Sequence, residues 1–236
     1  MNVAIVGASA RAAAYSTVRA GHSPIAADLF ADGDLCDLCT TSVVRPYPDG
    51  FADWLATLDV DGWFYTGALE NYPHLVDRLA TLRPLWGNPG QVLQRVRDPW
   101  QLAAELQHDA LRPPEMRRSV EGLPTDGSWL VKTNRGSSGS GVRSWRGPSV
   151  PSEDYVAQRR MEGAPIGAVC VCNGSDARVL GITRQLIGCD WTGCGPFQYA
   201  GSIGPHETPA RLREQIVRTA RHLAQQRPLA VNHFVV

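Results

Sequence analysis

Lys132 is the single lysine in a 236-residue chain whose other basic residues are all arginines. It lies in Trp129–Arg143, WLVKTNRGSSGSGVR, and is soon followed by Gly136, Ser137, Ser138, Gly139, Ser140 and Gly141. A loop of that kind has little side-chain bulk and many backbone N–H groups. Those donors, next to a compact ammonium, are what a polyphosphate requires of a protein. The order of parts excludes a Walker A loop, where the glycines come first and Lys-Ser/Thr opens a helix. Here Trp129 and Val131 alternate as in a short strand, the lysine sits on that strand, and the glycines come after it. The competing reading is a flexible Gly/Ser surface turn.

The elements that must position this stretch are legible on both sides. Residues 3–8 are apolar and end at Gly7, which reads as a buried parallel strand entering a turn. Ala10–Ala20 reads as a helix with Gly21 at its C-terminal end. Further strands are expected at Ile25–Leu29 and Val60–Thr66, a strand running into a turn over Leu85–Pro89, and helices at Phe51–Leu58 and His74–Leu82. That alternation predicts a parallel α/β sheet in residues 1–95. Gly7, Ser9 and Ala12 form a degraded dinucleotide fingerprint, and Asp28 stands near the ribose-binding position. A Rossmann oxidoreductase using Gly7, Ser9 and Asp28 therefore stays open. So does a Rossmann-like half-domain without a dinucleotide. Glu70 and Asn71 follow a strand end, where ligands of open α/β sheets gather.

Asp98-Pro99 opens a helix to about Gln107, with an acidic cap and proline at the first helical position. Leu111–Glu115 breaks regular structure. Tyr155–Gln158 is strand-like. Ile166–Cys172 and Ala177–Leu186 flank Asn173-Gly174, a hairpin signal. Arg184 and Gln185 lie late on that hairpin. Cys189–Gly204 is glycine-rich and suits an acceptor site. Thr208-Pro209 caps an amphipathic helix to about Gln226, ended by Pro228, and Leu229–Val236 reads as a final strand.

With 23 basic and 23 acidic residues the formal net charge is zero. Nothing there favours nucleic acid or an anionic membrane surface. No apolar run approaches a membrane span, and the N-terminus does not read as a secretory signal, so a cytoplasmic protein is expected. The six cysteines include one lone CxxC, Cys36–Cys39, without the second pair a zinc site requires. Reduced structural thiols are expected.

A strand lysine followed by a small-residue loop resembles the ATP-grasp superfamily, in particular its carboxylate–amine (or thiol) ligases. The resemblance covers the chain in order. It implies a Rossmann-like pre-ATP-grasp parallel sheet (1–95) followed by an incomplete α+β ATP-grasp module (96–236). It implies ATP and Mg²⁺ as cofactors and small-molecule partners, a carboxylate and an amine or thiol, in a chain that acts alone or as a homodimer. By that resemblance Lys132 steadies the α- and β-phosphates and the loop closes over the β- and γ-phosphates. Arg135 and Arg143 flank the loop. The linker Gln158–Gly163 reads adenine through the Arg159 carbonyl and the Met161 N–H, with Gln158 and Glu162 nearby. The family's terminal strand carries an acidic metal ligand before a phenylalanine; here His233 precedes Phe234, a poor ligand for a hard cation. A following Glu-x-Asn strand would lie beyond Val236. The expectation is an N-terminal fragment or early-ended copy of a longer ligase, with a non-catalytic nucleotide sensor or scaffold as the alternative.

Overall fold

The structure, a computed structural model, describes residues 1–108, 112–149, 154–225 and 232–235. The chain divides into two compact units, Met1–Gln94 and Arg95–Val236.

The first unit is built on β1 (Asn2–Val6), α1 (Arg11–Arg19), β2 (Ser23–Asp28), α2 (Gly33–Leu38), β3 (Thr40–Val43), α3 (Phe51–Ala56), β4 (Gly62–Tyr65), α4 (Pro73–Ala80) and the start of α5 (Gly90–Arg97). Its sheet is parallel throughout, in the order β3-β2-β1-β4. Alternation along β1 explains its unbroken apolar run. Ala4 and Val6 join a core with Phe51, Leu55, Trp63 and Leu79, whereas Ile5 packs with Ala10, Ala14 and Leu35. Both faces of the strand are covered, so neither set of side chains can be polar. Helix α1 stops in a Schellman turn. The His22 N–H donates to the Thr17 carbonyl and the Gly21 N–H to the Val18 carbonyl, with Gly21 at φ +80°.

Three departures from the sequence reading lie in this unit. Helix α2 and strand β3 occupy residues that carried no clear periodicity. The strand expected to run into a turn over Leu85–Pro89 is reduced to one parallel bridge, Trp63 to Leu85, before Gly87 and Pro89 turn the chain. Helix α5 then follows directly.

The second unit opens with α6 (Pro99–His108). Its first turn is capped by Asp98, whose Oδ1 accepts the N–H of Trp100 at 2.8 Å and of Gln101 at 3.1 Å. An antiparallel sheet follows, made of β5 (Met116–Arg117), β6 (Trp129–Thr133), β7 (Val142–Ser144) and β8 (Tyr155–Arg159), in the order β5-β8-β6-β7. A second antiparallel sheet contains β9 (Ile166–Cys172), β10 (Ala177–Ile187), β11 (Tyr199–Ile203) and, after α7 (Ala210–Gln225), β12 (Asn232–Val235), in the order β11-β10-β9-β12. Ala168, Cys170 and Cys172 face inward from β9 at period two and meet Ala220 and Ala224 of α7. Burial there pushes the Cys170 and Cys172 thiols up, as befits inert core cysteines.

The β9–β10 connection is a four-residue loop, not a two-residue turn. The Asn173 side-chain oxygen accepts the N–H groups of Ser175 and Asp176 at 3.1 and 2.8 Å, so the asparagine side chain builds the longer loop that the Asn173-Gly174 signal marks. Thr208 does not cap α7, since its buried hydroxyl has no hydrogen-bond partner. Leu111, Gln226, Pro228, residues 229–231 and Val236, all used in the sequence reading, lie outside the described residues.

Candidate functional site

Strands β6 and β8 place the candidate residues. On one face of β6, Trp129 and Val131 are buried with Val120, Trp145 and Ala157. Alternation puts Leu130 and Lys132 on the other face. Lys132 pairs with Val156 and Leu130 with Gln158, so Gln158 is the diagonal neighbour of the lysine on the same face. The Lys132 Nζ donates to the Gln158 Oε1 at 3.1 Å. Both belong to an open recess of about 320 Å³ whose walls include the apolar Val96, Pro99 and Val156 and, at its polar end, Arg97 and Asn134.

Burial lowers the pKa of Lys132. No carboxylate among the described residues pairs with it, and its bond to Gln158 is to a neutral oxygen. An ammonium held out of water next to a neutral acceptor is an unbalanced charge, and such a site gains free energy when an anion enters.

The loop after β6 is shaped by its small residues. Ser138, Gly139 and Gly141 have φ of +52°, +79° and +81°. A Cβ at Gly136 would stand 2.5 Å from the Ser140 carbonyl oxygen, and one at Gly139 1.9 Å from that of Phe197. The Tyr199 N–H donates to the Ser138 carbonyl at 3.0 Å, fastening the loop to the segment that enters β11. At the loop's start, one Arg97 nitrogen, Nη2, donates to the carbonyls of Asn134 and Gly136 at 3.2 and 3.1 Å. The amides of Arg135, Ser138 and Gly139 find no acceptor among the described residues. A half-buried ammonium and unused backbone donors thus lie in one continuous stretch, β6 and the loop that follows it.

The residues singled out in the sequence divide into two groups. Lys132 and Gln158 line the recess, and Gly136, Ser137, Ser138, Gly139, Ser140 and Gly141 form the loop beside it. Arg135 is exposed. Arg143 donates to the Ser149 carbonyl. Arg159 lies 5.9 Å over the Trp129 ring and gives its N–H to the Glu115 carbonyl at 2.8 Å. Met161 is 62% exposed and Glu162 is exposed. Arg184 is exposed on β10. Arg97 was not anticipated. In the sequence it is one arginine among many, and its place depends on a contact 37 and 39 residues away.

The dinucleotide reading is corrected by the structure. Asp28 is fully buried, and its carboxylate accepts the N–H groups of Ala10, Phe30 and Ala31 at 2.9, 2.9 and 2.8 Å. It cannot also take a ribose hydroxyl. Gly7 is required by Thr66, whose Oγ1 lies 1.9 Å from where a Cβ would be. Asn71 bonds the Ala68 carbonyl within a short 3₁₀ turn. The six cysteines are free thiols. Among the described residues no group of three or more His, Cys, Asp or Glu is placed to hold a metal ion. Also among them, no helix is long and apolar enough to cross a membrane.

Residues 96–230 match the family profile of the ATP-grasp domain. No curated protein matches the chain. Solved structures share its fold. N5-carboxyaminoimidazole synthetase from Staphylococcus aureus, complexed with ADP, has a TM-score of 0.70 at 14% identity, over 100% of this chain and 66% of that one. The biotin carboxylase domain of 2-oxoglutarate carboxylase from Hydrogenobacter thermophilus, with MgADP, ADP and bicarbonate, gives 0.71 at 13%, over 98% and 60%. L-amino acid ligase from Bacillus licheniformis gives 0.66 at 16%, over 94% and 59%. At these identities the likeness is one of fold. The chain spans 59–66% of the length of these three structures.

Proposed function

The chain belongs to the ATP-grasp family, its residues 96–230 matching that domain, and from that premise we propose that it binds ATP in the Lys132 recess and serves ligation of a carboxylate to an amine or thiol. The observation that carries this reading is the half-buried ammonium of Lys132, which has a neutral hydrogen-bond partner and no anion among the described residues.

In this reading Lys132 meets the α- and β-phosphates, and Gln158 fixes the direction of the ammonium through their mutual bond. The Gly136–Gly141 loop offers its amides to the outer phosphates and keeps water from them. Val96, Pro99 and Val156 offer an apolar wall to the base. The Arg159 carbonyl, the Met161 N–H and Glu162 are assigned to adenine and ribose by family resemblance. Bound ATP supplies phosphoryl transfer to a carboxylate oxygen, which opens the acyl carbon to attack by an amine or thiol, with ADP and phosphate released. Mg²⁺ belongs to that chemistry in the family, where it would neutralise charge on the outer phosphates. The first unit takes the pre-ATP-grasp role, and a cytoplasmic location follows from the ATP supply. The acceptor molecules are small, and the chain acts alone or as a homodimer.

The test is calorimetric titration of ATP into wild type and Lys132→Ala. Loss of a charge-assisted bond predicts a weakening of roughly 1–3 kcal/mol. Equal affinity in the two proteins overturns the site. Nucleotide binding without turnover is the second reading, favoured by His233 standing where the resemblance expects an acid. Phosphate release measured with candidate carboxylates and amines separates the two.

A further inference from the structure

Arg97 is the last residue of α5, and its side chain is half-buried. It lines the same recess as Lys132. Its Nη2 group gives both hydrogens to main-chain oxygens, those of Asn134 and Gly136. These oxygens flank the first turn of the small-residue loop. Left unpartnered near the recess, they would present negative dipole ends to an incoming phosphate, and the loop would repel the ligand it is built to hold.

A peptide unit is planar, and its C=O and N–H point in opposite directions. When Arg97 draws the carbonyl of Asn134 toward itself, the N–H of Arg135 is turned away from it. When it draws that of Gly136, the N–H of Ser137 is turned likewise. One guanidinium therefore sets the orientation of two loop amides. The far side of the loop is set separately, by the Tyr199 N–H on the Ser138 carbonyl and by Gly139 lying against Phe197. A lysine at this position would hold the two carbonyls less rigidly, since its ammonium is a freely rotating point charge on a flexible stem whereas the guanidinium fixes both Nη2 hydrogens in one plane.

We propose that Arg97 is a positioning residue for polyphosphate recognition: it masks two loop carbonyls and aims the loop's amide donors, without itself being the charge that pairs with the nucleotide. This rests on the reading of the Lys132 recess as an ATP site. The ligand class it discriminates is a nucleoside di- or triphosphate against the monophosphate, because the loop serves the outer phosphates.

The experiment titrates ATP, ADP and AMP into the whole wild-type chain, Arg97→Ala and Arg97→Lys, with amide hydrogen exchange followed over residues 134–141. Arg97→Ala is expected to weaken ATP and ADP by about 10–100-fold and AMP by no more than about twofold, with faster exchange at loop amides. These are the effects of misaimed donors and not of a lost fold. Arg97→Lys is expected to recover less than half of the loss on a logarithmic scale, and it carries the same test if the alanine variant does not fold. Equal losses for all three nucleotides, full recovery in Arg97→Lys, or unchanged loop exchange would overturn the proposal while leaving the ATP site standing. A wild-type chain that binds none of the three overturns the site reading itself, and this proposal with it.

Discussion

Two glycine-bearing turns follow strands in this molecule, one after β1 and one after β6, and they look alike in the sequence. In the first, Gly7 makes room for Thr66, and the position an anion would take beside the start of α1 is filled by the Asp28 carboxylate, which accepts the Ala10 N–H. In the second, Gly136 and Gly139 make room for backbone carbonyls, Arg97 gathers two more, and a half-buried lysine with no anion among the described residues stands alongside. A glycine reports only that something approaches closely. Whether a ligand binds depends on whether the donors are already used. The first turn has its own internal anion and the second does not.

The sharpest way to break this contrast is to remove the internal anion. Asp28→Ala leaves three backbone donors without their acceptor in a buried place, and about 3–5 kcal/mol of stability should be lost in urea unfolding. A loss below about 1 kcal/mol would mean that the carboxylate is not structural and would reopen the dinucleotide reading. Next in size is Gly139→Ala. The residue has φ +79°, and the new Cβ would stand 1.9 Å from the Phe197 oxygen, so strain of about 1–2 kcal/mol is expected. The loop should undock and ADP affinity should fall by about tenfold in titration; unchanged affinity would show that docking is irrelevant.

Smaller still is the effect of Lys132→Met on the ligand-free protein, and its sign is informative. Burial lowers the folded-state pKa of Lys132 below the unfolded value. The unfolded chain therefore binds more protons over that window, and wild-type stability rises as pH climbs through the depressed pKa toward the ordinary lysine value. The methionine variant escapes this penalty at neutral pH. Its Tm should exceed that of wild type at pH 7, by about 2–4 °C per kcal/mol relieved, and the advantage should shrink near pH 10. A lower Tm at pH 7 would mean that the ammonium stabilises the empty fold.

Much of the scaffold was legible because local chemistry agreed with the final packing. The runs at β1 and β9 are set by burial at fixed periods, and the Asp98-Pro99 helix start is a local cap. Lys132 and its loop could be read from residue type and order alone. What escaped was fixed by distant partners. Strand β3 reads TTSV and gains its place by pairing with β2. Strand β11 is largely exposed yet is held by β10. Asp28 looked like a ribose ligand until its three amide donors were seen. Arg97 carried no local mark, since its partners are main-chain carbonyls, which have no side-chain identity to read. Gln158 was expected near adenine, and its bond to the lysine was not foreseen.

The most direct measurement is thermal unfolding of the whole chain with ATP or ADP and, separately, with NAD⁺ and NADP⁺, in wild type and Lys132→Ala. Ligand at about a hundred times its Kd stabilises the native state by about 2.7 kcal/mol. The account predicts a rise in Tm with the adenine nucleotides alone, and its loss or strong reduction in Lys132→Ala. A shift only with the dinucleotides, or an ATP shift that survives intact in Lys132→Ala, would contradict it.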